Sequence, residues 1–271
     1  MATRHSAGRW VGPEALTAFD ERGFFVVPDV FDAATVAAVL AAIDPLENDY
    51  ARELSLKPEV ERTAKEDLGA ATFAPHLVTR SPELRAFAGG PFFSEVAAAL
   101  LGPDVRVYWD QAVYKKTERP RVFPWHQDNG DIRIIPEAYI TCWVALSDAT
   151  EENGCLWMLP GQHRAGMLPH HHGPDGLELT DVDEDDAVAV PVRAGSVVVF
   201  SSLVPHRSGP NLTSSERKAY ILQYAVDGSI VPRSVEQGIP EDLRMDDPER
   251  QYLVVQGGRP VHETSDAPST R

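Results

Sequence analysis

Hydrophobic and polar positions divide the chain into a helical first third and a strand-rich remainder. Leu16 and Phe19 share one face of Pro13–Arg22, and Gly23 is placed to end that helix. Phe24, Phe25, Val26 and Val27 then form a β-rich run stopped by Pro28. Asp32 is a good N-cap for a second helix in which Val36, Val39, Leu40 and Ile43 recur at helical spacing; Pro45 is expected to close it. Residues 47–68 are strongly charged and weakly periodic, which reads as an exposed, mobile helix or loop. Residues 82–101 hold two further helical pieces, broken by Gly89, Gly90 and Pro91.

At Gly102 the pattern changes. Strands are expected over residues 105–115, 138–146, 156–159, 187–192, 196–200 and 218–226, separated by turn signals such as Glu152-Asn153-Gly154 and Pro160-Gly161. Short strands without helical crossovers point to an antiparallel barrel or sandwich rather than a parallel sheet. Residues 177–186 are acidic without apolar period and read as a surface loop. Residues 263–271 are expected to be disordered. The whole reads as a single domain over 1–271, with a mostly helical N-terminal region over 1–101, a β core over 102–231 and a C-terminal extension over 232–271.

Composition narrows the class of protein. Of 271 residues, 43% are apolar and 24% charged, ordinary for a chain that buries a core. The net charge of −16 disfavours a nucleic-acid partner. Cys142 and Cys155 are too few for a disulfide scaffold and read as free thiols. Residues 1–10 lack a signal-type apolar stretch, and no run approaches the roughly 20 apolar residues that span a bilayer. The expectation is a cytoplasmic protein with a small-molecule partner and neither nucleic acid nor membrane; the sequence assigns no oligomeric state.

The candidate chemistry centres on Trp125-His126-Gln127-Asp128. In an extended segment residues i and i+2 point to one side, so His126 and Asp128 can offer a nitrogen and a carboxylate oxygen to one ion. His-x-Asp alone recurs by chance, and a half-buried histidine is the bland alternative. His206, after the strand at 196–200 and beside Pro205, is the best third ligand. Two histidines and a carboxylate on one octahedral face form the set used by non-haem Fe(II) oxygenases, with the other face open for a co-substrate and O2. Arg217 follows His206 by 11 residues across residues 209–215, a loop that returns the chain beside it. A guanidinium there suits the far carboxylate of 2-oxoglutarate, whose keto acid end chelates iron. Ser208 is placed to add a hydrogen bond. A solvated turn arginine between Glu216 and Lys218 is the competing reading.

Taken together these segments resemble the phytanoyl-CoA dioxygenase family of Fe(II)/2-oxoglutarate oxygenases. The resemblance is carried by residues 23–28 (GFFVVP), 125–128 (WHQD), 142–146 (CWVAL), 152–156 (ENGCL), 159–163 (LPGQH) and 205–211 (PHRSGPN) leading to Arg217, in the family's order over about residues 15–226. It implies a mainly β fold with peripheral helices around a double-stranded β-helix, the jelly-roll or cupin-like core. It also implies Fe(II) on His126, Asp128 and His206, and 2-oxoglutarate held by Arg217 and Ser208. Gln111, Tyr114 and Trp143 match positions that contact the co-substrate or line the pocket. Thr141 shares a strand face with Trp143 and is a further candidate donor. Plain sheet packing is the alternative for all four.

The implied activity is a dioxygenase that hydroxylates or otherwise oxidises a small molecule, releasing succinate and CO2. Related halogenases replace the metal carboxylate by a small residue; Asp128 is retained here. Desaturation, cyclisation or epimerisation on the same iron site, and a non-catalytic jelly-roll binding protein, are the alternatives. Residues 129–136 and 47–68 are expected to form the mouth and lid, with Arg133, Ile134 and Ile135 as substrate contacts. Lys115-Lys116-Thr117 stands where the family often has Lys-Pro-Pro, which counts against a phytanoyl-CoA-like substrate. The basic group Lys115, Lys116, Arg119 and Arg121 reads as a solvated edge, with contact to a phosphate or carboxylate as the alternative. His170-His171-His172 reads as a polar loop, and Asn153-Gly154 as a turn.

Overall fold

A computed structural model describes residues 9–58, 61, 70–118, 120–130, 132–173, 176–234 and 238–261. Helix α1 (Pro13–Arg22) ends at Gly23, whose φ of 83° lies in the left-handed region. A Cβ there would stand 2.3 Å from Val204 Cγ2, so conformation and space both require glycine. Strand β1 (Phe24–Val27) follows. Helix α2 (Ala33–Leu56) starts at Asp32, whose side chain accepts from the Thr35 N–H.

The helix does not close at Pro45 but runs through it. Val36, Val39, Ile43 and Glu47 are all buried along it, so packing on both sides of the proline outweighs the hydrogen bond that Pro45 cannot make. Glu47 is no part of a solvated lid either. It is buried and accepts from Thr72 Oγ1 and Lys116 Nζ. Residues 59–60 and 62–69 of the expected lid lie outside the described residues, as do Arg119 and the expected disordered end at 263–271.

Strand β2 (Ala71–Pro75), two short helices (Pro82–Ala88 and Pro91–Leu101), β3 (Val105–Lys115), β4 (Phe123–His126), β5 (Ile140–Ala145) and β6 (Leu156–Met158) come next. They are followed by β7 (His170–Gly173), β8 (Gly176–Leu179), β9 (Val188–Val190), β10 (Val197–Ser201), β11 (His206–Ser208) and β12 (Arg217–Val226). The large sheet has the order β1-β10-β5-β12-β3, extended by Leu253–Gln256 and Arg259–Pro260, with β2 also on β3. The smaller sheet runs β4-β11-β6-β9. The pairings among these strands are antiparallel, and the curled large sheet with the smaller one forms a double-stranded β-helix.

Both faces of the large sheet are covered, which is why β5 and β10 are buried at every position and read as unbroken apolar runs. Alternation sorts their side chains. Val197, Val199, Cys142, Val144, Tyr220 and Leu222 pack toward the helices. Val198, Phe200, Trp143, Ala145 and Ala219 pack toward the small sheet, against Leu156 and Met158.

Two loop expectations are corrected. His170–Gly173 pairs with Gly176–Leu179 as the hairpin β7–β8. Leu179 packs with Trp125 and Leu159 in a small core outside the minor sheet, which gives this polar-looking segment an apolar anchor. Among the described residues no single helix is long and apolar enough to cross a membrane.

Candidate active site

β11 pairs antiparallel with β4 so that His206 stands opposite His126. Their ring centroids are 4.1 Å apart. Asp128 lies two residues beyond the last residue of β4, at the start of a 3-10 turn. Its Oδ1 lies 3.8 Å from His126 Nε2 and 3.5 Å from His206 Nε2, and the three ligand atoms fall within 4.8 Å of one another. A single ion fits that spacing.

The surroundings settle which atoms face it. His126 Nδ1 lies 2.9 Å from the Pro124 carbonyl and His206 Nδ1 lies 3.0 Å from that of Val204. A carbonyl only accepts, so each Nδ1 carries the proton and each Nε2 offers its lone pair. Asp128 Oδ2 accepts from Thr141 Oγ1 at 2.5 Å and from Gln223 Nε2 at 3.0 Å, leaving Oδ1 for the ion. Gln127 points the other way and ties the site's loops together. Its Nε2 donates to the carbonyls of Leu203 and Gly166, and its Oε1 accepts from the Leu168 N–H. Its own N–H donates to His170 Nε2, so one of the three consecutive histidines supports the metal motif.

Arg217 and Lys115 close the other end of the cleft. They are direct partners in the β12–β3 register and both are buried. The loop that returns the chain to Arg217 is fixed by Asn211, whose Nδ2 donates to the carbonyls of Lys115 and Ser215. Arg217 lies over the Trp143 ring at 5.0 Å. Its Nε and Nη1 are buried and have no hydrogen-bond partner among the described residues. Burial lowers its pKa to about 10, so it stays charged at neutral pH. Lys115 Nζ donates to the Ser208 hydroxyl at 2.9 Å, which leaves that hydroxyl proton free for another acceptor. Burial, and then the Arg217 charge, push Lys115 down to about 6. A buried guanidinium with two open donors, beside a second suppressed cation, is complementary to a carboxylate.

Most of the expected site residues meet in one cleft: His126, Asp128, His206, Arg217, Ser208, Gln111, Trp143 and Thr141 all line it. Tyr114 does not. It sits on the opposite face of β3, in the core under the helices, where its hydroxyl donates to Asp44. Lys115, expected at a solvated edge, points into the cleft instead, because Tyr114 and Lys115 are neighbours on an alternating strand. Gln223 was absent from the expected set, although Arg217 and Gln223 share the parity of one strand face. Of the expected substrate contacts, Ile134 is fully buried in a side core and Arg133 pairs with Glu137. Ile132 lines the cleft in their place. Asn153 supplies a turn as expected, with Oδ1 accepting from the Thr150 N–H.

Comparison with known proteins adds an independent line. The profile of the phytanoyl-CoA dioxygenase family matches residues 19–219. A phytanoyl-CoA dioxygenase of Arabidopsis thaliana is 34% identical over 102 residues, which is 36% of this chain and 36% of that protein's length. The ectoine dioxygenase of Bordetella parapertussis is 25% identical over 232 residues, 78% of this chain and 74% of that one. Among solved structures, EvdO2 from Micromonospora carbonacea var. aurantiaca, complexed with 2-oxoglutarate, is 29% identical with a TM-score of 0.65, covering 81% of this chain and 92% of EvdO2.

Proposed function

The chain belongs to the phytanoyl-CoA dioxygenase family, and from that premise we propose that it is an Fe(II)- and 2-oxoglutarate-dependent dioxygenase that oxidises a small molecule. The observation that carries the reading is the pairing of two features in one cleft: a two-histidine, one-carboxylate set with an open face, and a buried Arg217 with two unpartnered donors. The balance for hydroxylation is R–H + O2 + 2-oxoglutarate → R–OH + succinate + CO2, with one oxygen atom entering each organic product.

His126 and His206 would hold the metal through Nε2, and Asp128 through Oδ1. When bound, Fe(II) supplies the oxidising chemistry with O2. Thr141 and Gln223 keep Asp128 from turning its second oxygen to the ion. Arg217, Lys115 and the Ser208 hydroxyl would hold the far carboxylate of 2-oxoglutarate. Trp143 backs Arg217 and keeps water from its charge. Gln111 is oriented by the Trp109 N–H, at 3.3 Å, and borders the co-substrate's path. A non-catalytic binding protein would not need a ligand set with one face left open, since structural sites usually fill their coordination positions. The reading includes a cytoplasmic location, supported by the buried thiols of Cys142 and Cys155, with neither nucleic acid nor membrane as partner.

The test is succinate formation from 2-oxoglutarate by the Fe(II)-loaded protein with ascorbate. Turnover that disappears in His126→Ala, together with lost iron binding, is expected. Absence of both turnover and 2-oxoglutarate binding in the unaltered protein would refute the assignment.

A further inference from the structure

The cleft continues beyond the metal set, away from its cationic end. Along β3 the interior side chains run Lys115, Val113, Gln111, Trp109, from charge to aromatic ring. At that far end Tyr108 meets Tyr139 with centroids 4.9 Å apart. On the flank Phe73 packs on Phe123 at 5.5 Å, and Phe123 stands edge-on to His126 at 4.8 Å. Val122 and Ile132, which are 37% and 44% exposed, also line the cleft and present apolar surface to solvent at its mouth.

Charge is absent from this end among the described residues. The charged side chains lining the cleft are those of the metal set, Lys115, Arg217 and Arg207. Arg207 lies over Trp125 and Trp157, at 5.2 and 5.3 Å, and its Nη2 pairs with Glu184 at 3.0 Å, while its Nε is buried without a partner among the described residues. Lys116, the cation next to the cleft on β3's side, pairs with Glu47 and Glu216 at 3.0 and 2.7 Å. A thioester carrying several phosphates would find these cations taken, under a net charge of −16. A zwitterion would leave its charges desolvated against rings.

We infer, on the functional reading above, that the substrate presents a neutral, apolar ring system to this end of the cleft. The rings lie between the Phe73–Phe123 pair and the Tyr108–Trp109 segment, with the C–H bond to be oxidised at the open face of the metal set. Apolar burial and ring–ring contact supply the affinity.

The test uses the full chain loaded with Fe(II) and 2-oxoglutarate without oxygen. Three probes are compared: flavanone as neutral ring system, octanoyl-CoA as polyanion and ectoine as zwitterion. Binding is read by tryptophan fluorescence and equilibrium dialysis. Flavanone is expected to bind at least about tenfold more tightly than the other two. Ile132→Asp and Val122→Asp, at exposed positions that a folded chain tolerates, should each weaken flavanone by about tenfold or more and leave 2-oxoglutarate affinity within about twofold. Flavanone binding no tighter than either charged probe, or unaffected by both substitutions, overturns the inference while the oxygenase reading stands. Failure of the Fe(II)-loaded chain to bind 2-oxoglutarate overturns both.

Discussion

Replacing Lys115 by methionine should remove a pH dependence of co-substrate binding. Lys115 is 2% exposed and its pKa falls from 10.5 to about 6, first through burial and then through Arg217. The folded apo-protein therefore binds fewer protons than the unfolded chain between about pH 6 and pH 10.5. Lys115 thus lowers stability most below pH 6, where the folded chain must carry the buried charge, and stability rises with pH through that window. A carboxylate placed beside Nζ reverses the preference and recharges the lysine. At pH 7.5 that recharging costs about 2 kcal/mol for a group titrating at about 6. Proton uptake on binding then makes the association constant for 2-oxoglutarate fall by up to about tenfold per pH unit from pH 6.5 to 8.5. Below about pH 6 the curve flattens, because the free protein is already protonated there. Calorimetry of the Fe(II)-loaded protein, in two buffers of different ionisation enthalpy, measures the uptake directly. Lys115→Met should bind more weakly at pH 6.5, by about 10- to 100-fold, with little pH slope and little proton uptake. Equal slope and uptake in the variant and the unaltered protein would refute the reasoning.

Three further outcomes follow from other contacts. Arg217→Met should raise the thermal midpoint of the apo-protein, since an unpaired buried guanidinium is replaced by an apolar chain of similar length; it should also abolish the midpoint increase that 2-oxoglutarate produces in the unaltered protein, as scanning fluorimetry would show. Thr141→Val removes the shorter of the two bonds to Asp128 Oδ2, and iron affinity measured by competition with a chelator should drop by about 10- to 100-fold. Gly154→Ala should destabilise the fold by about 2 kcal/mol or more in urea titrations, because Gly154 has φ 89° and a Cβ there would meet the Gly209 carbonyl at 2.5 Å and Lys115 Cδ at 2.9 Å.

The strand positions were legible because burial on both faces writes them as apolar runs: β3 was expected at Val105–Lys115 and is found there. Interruptions were harder. Pro45 is a local stop signal, and only tertiary packing of Val39, Ile43 and Glu47 shows that the helix outlasts it. Strand β7 is three histidines and a glycine, and of the two leucines in β8 only Leu179 is buried, so the hairpin left almost no periodic trace. Leu253–Gln256, with Val254 and Val255 fully buried, was hidden in a stretch of Pro, Glu, Asp and Arg whose composition resembles a tail.

The site itself shows that strand parity carried more information than motif likeness. Gln111 and Tyr114 differ by three positions, so one extended strand cannot turn both into the same cleft, whereas Gln111 and Lys115 differ by four. The same test applied to β12 places Arg217, Ala219, Ile221 and Gln223 on one face, and applied to β5 it joins Thr141 to Trp143. Gln223 is the amide in an apolar run on a core-facing parity, the kind of buried polar group that needs a partner; the partner is Asp128. Parity alone does not say which end of the cleft each residue serves. That follows from register, which sets Arg217 opposite Lys115 and Gln223 opposite Trp109 and Thr141. Charge for the co-substrate, donors for the metal carboxylate and rings for the substrate are therefore graded along the same three adjacent strands. Alternate same-face residues stand roughly 6.8 Å apart, so a two-residue slip of β12 would displace Arg217 by nearly the length of a small dicarboxylate.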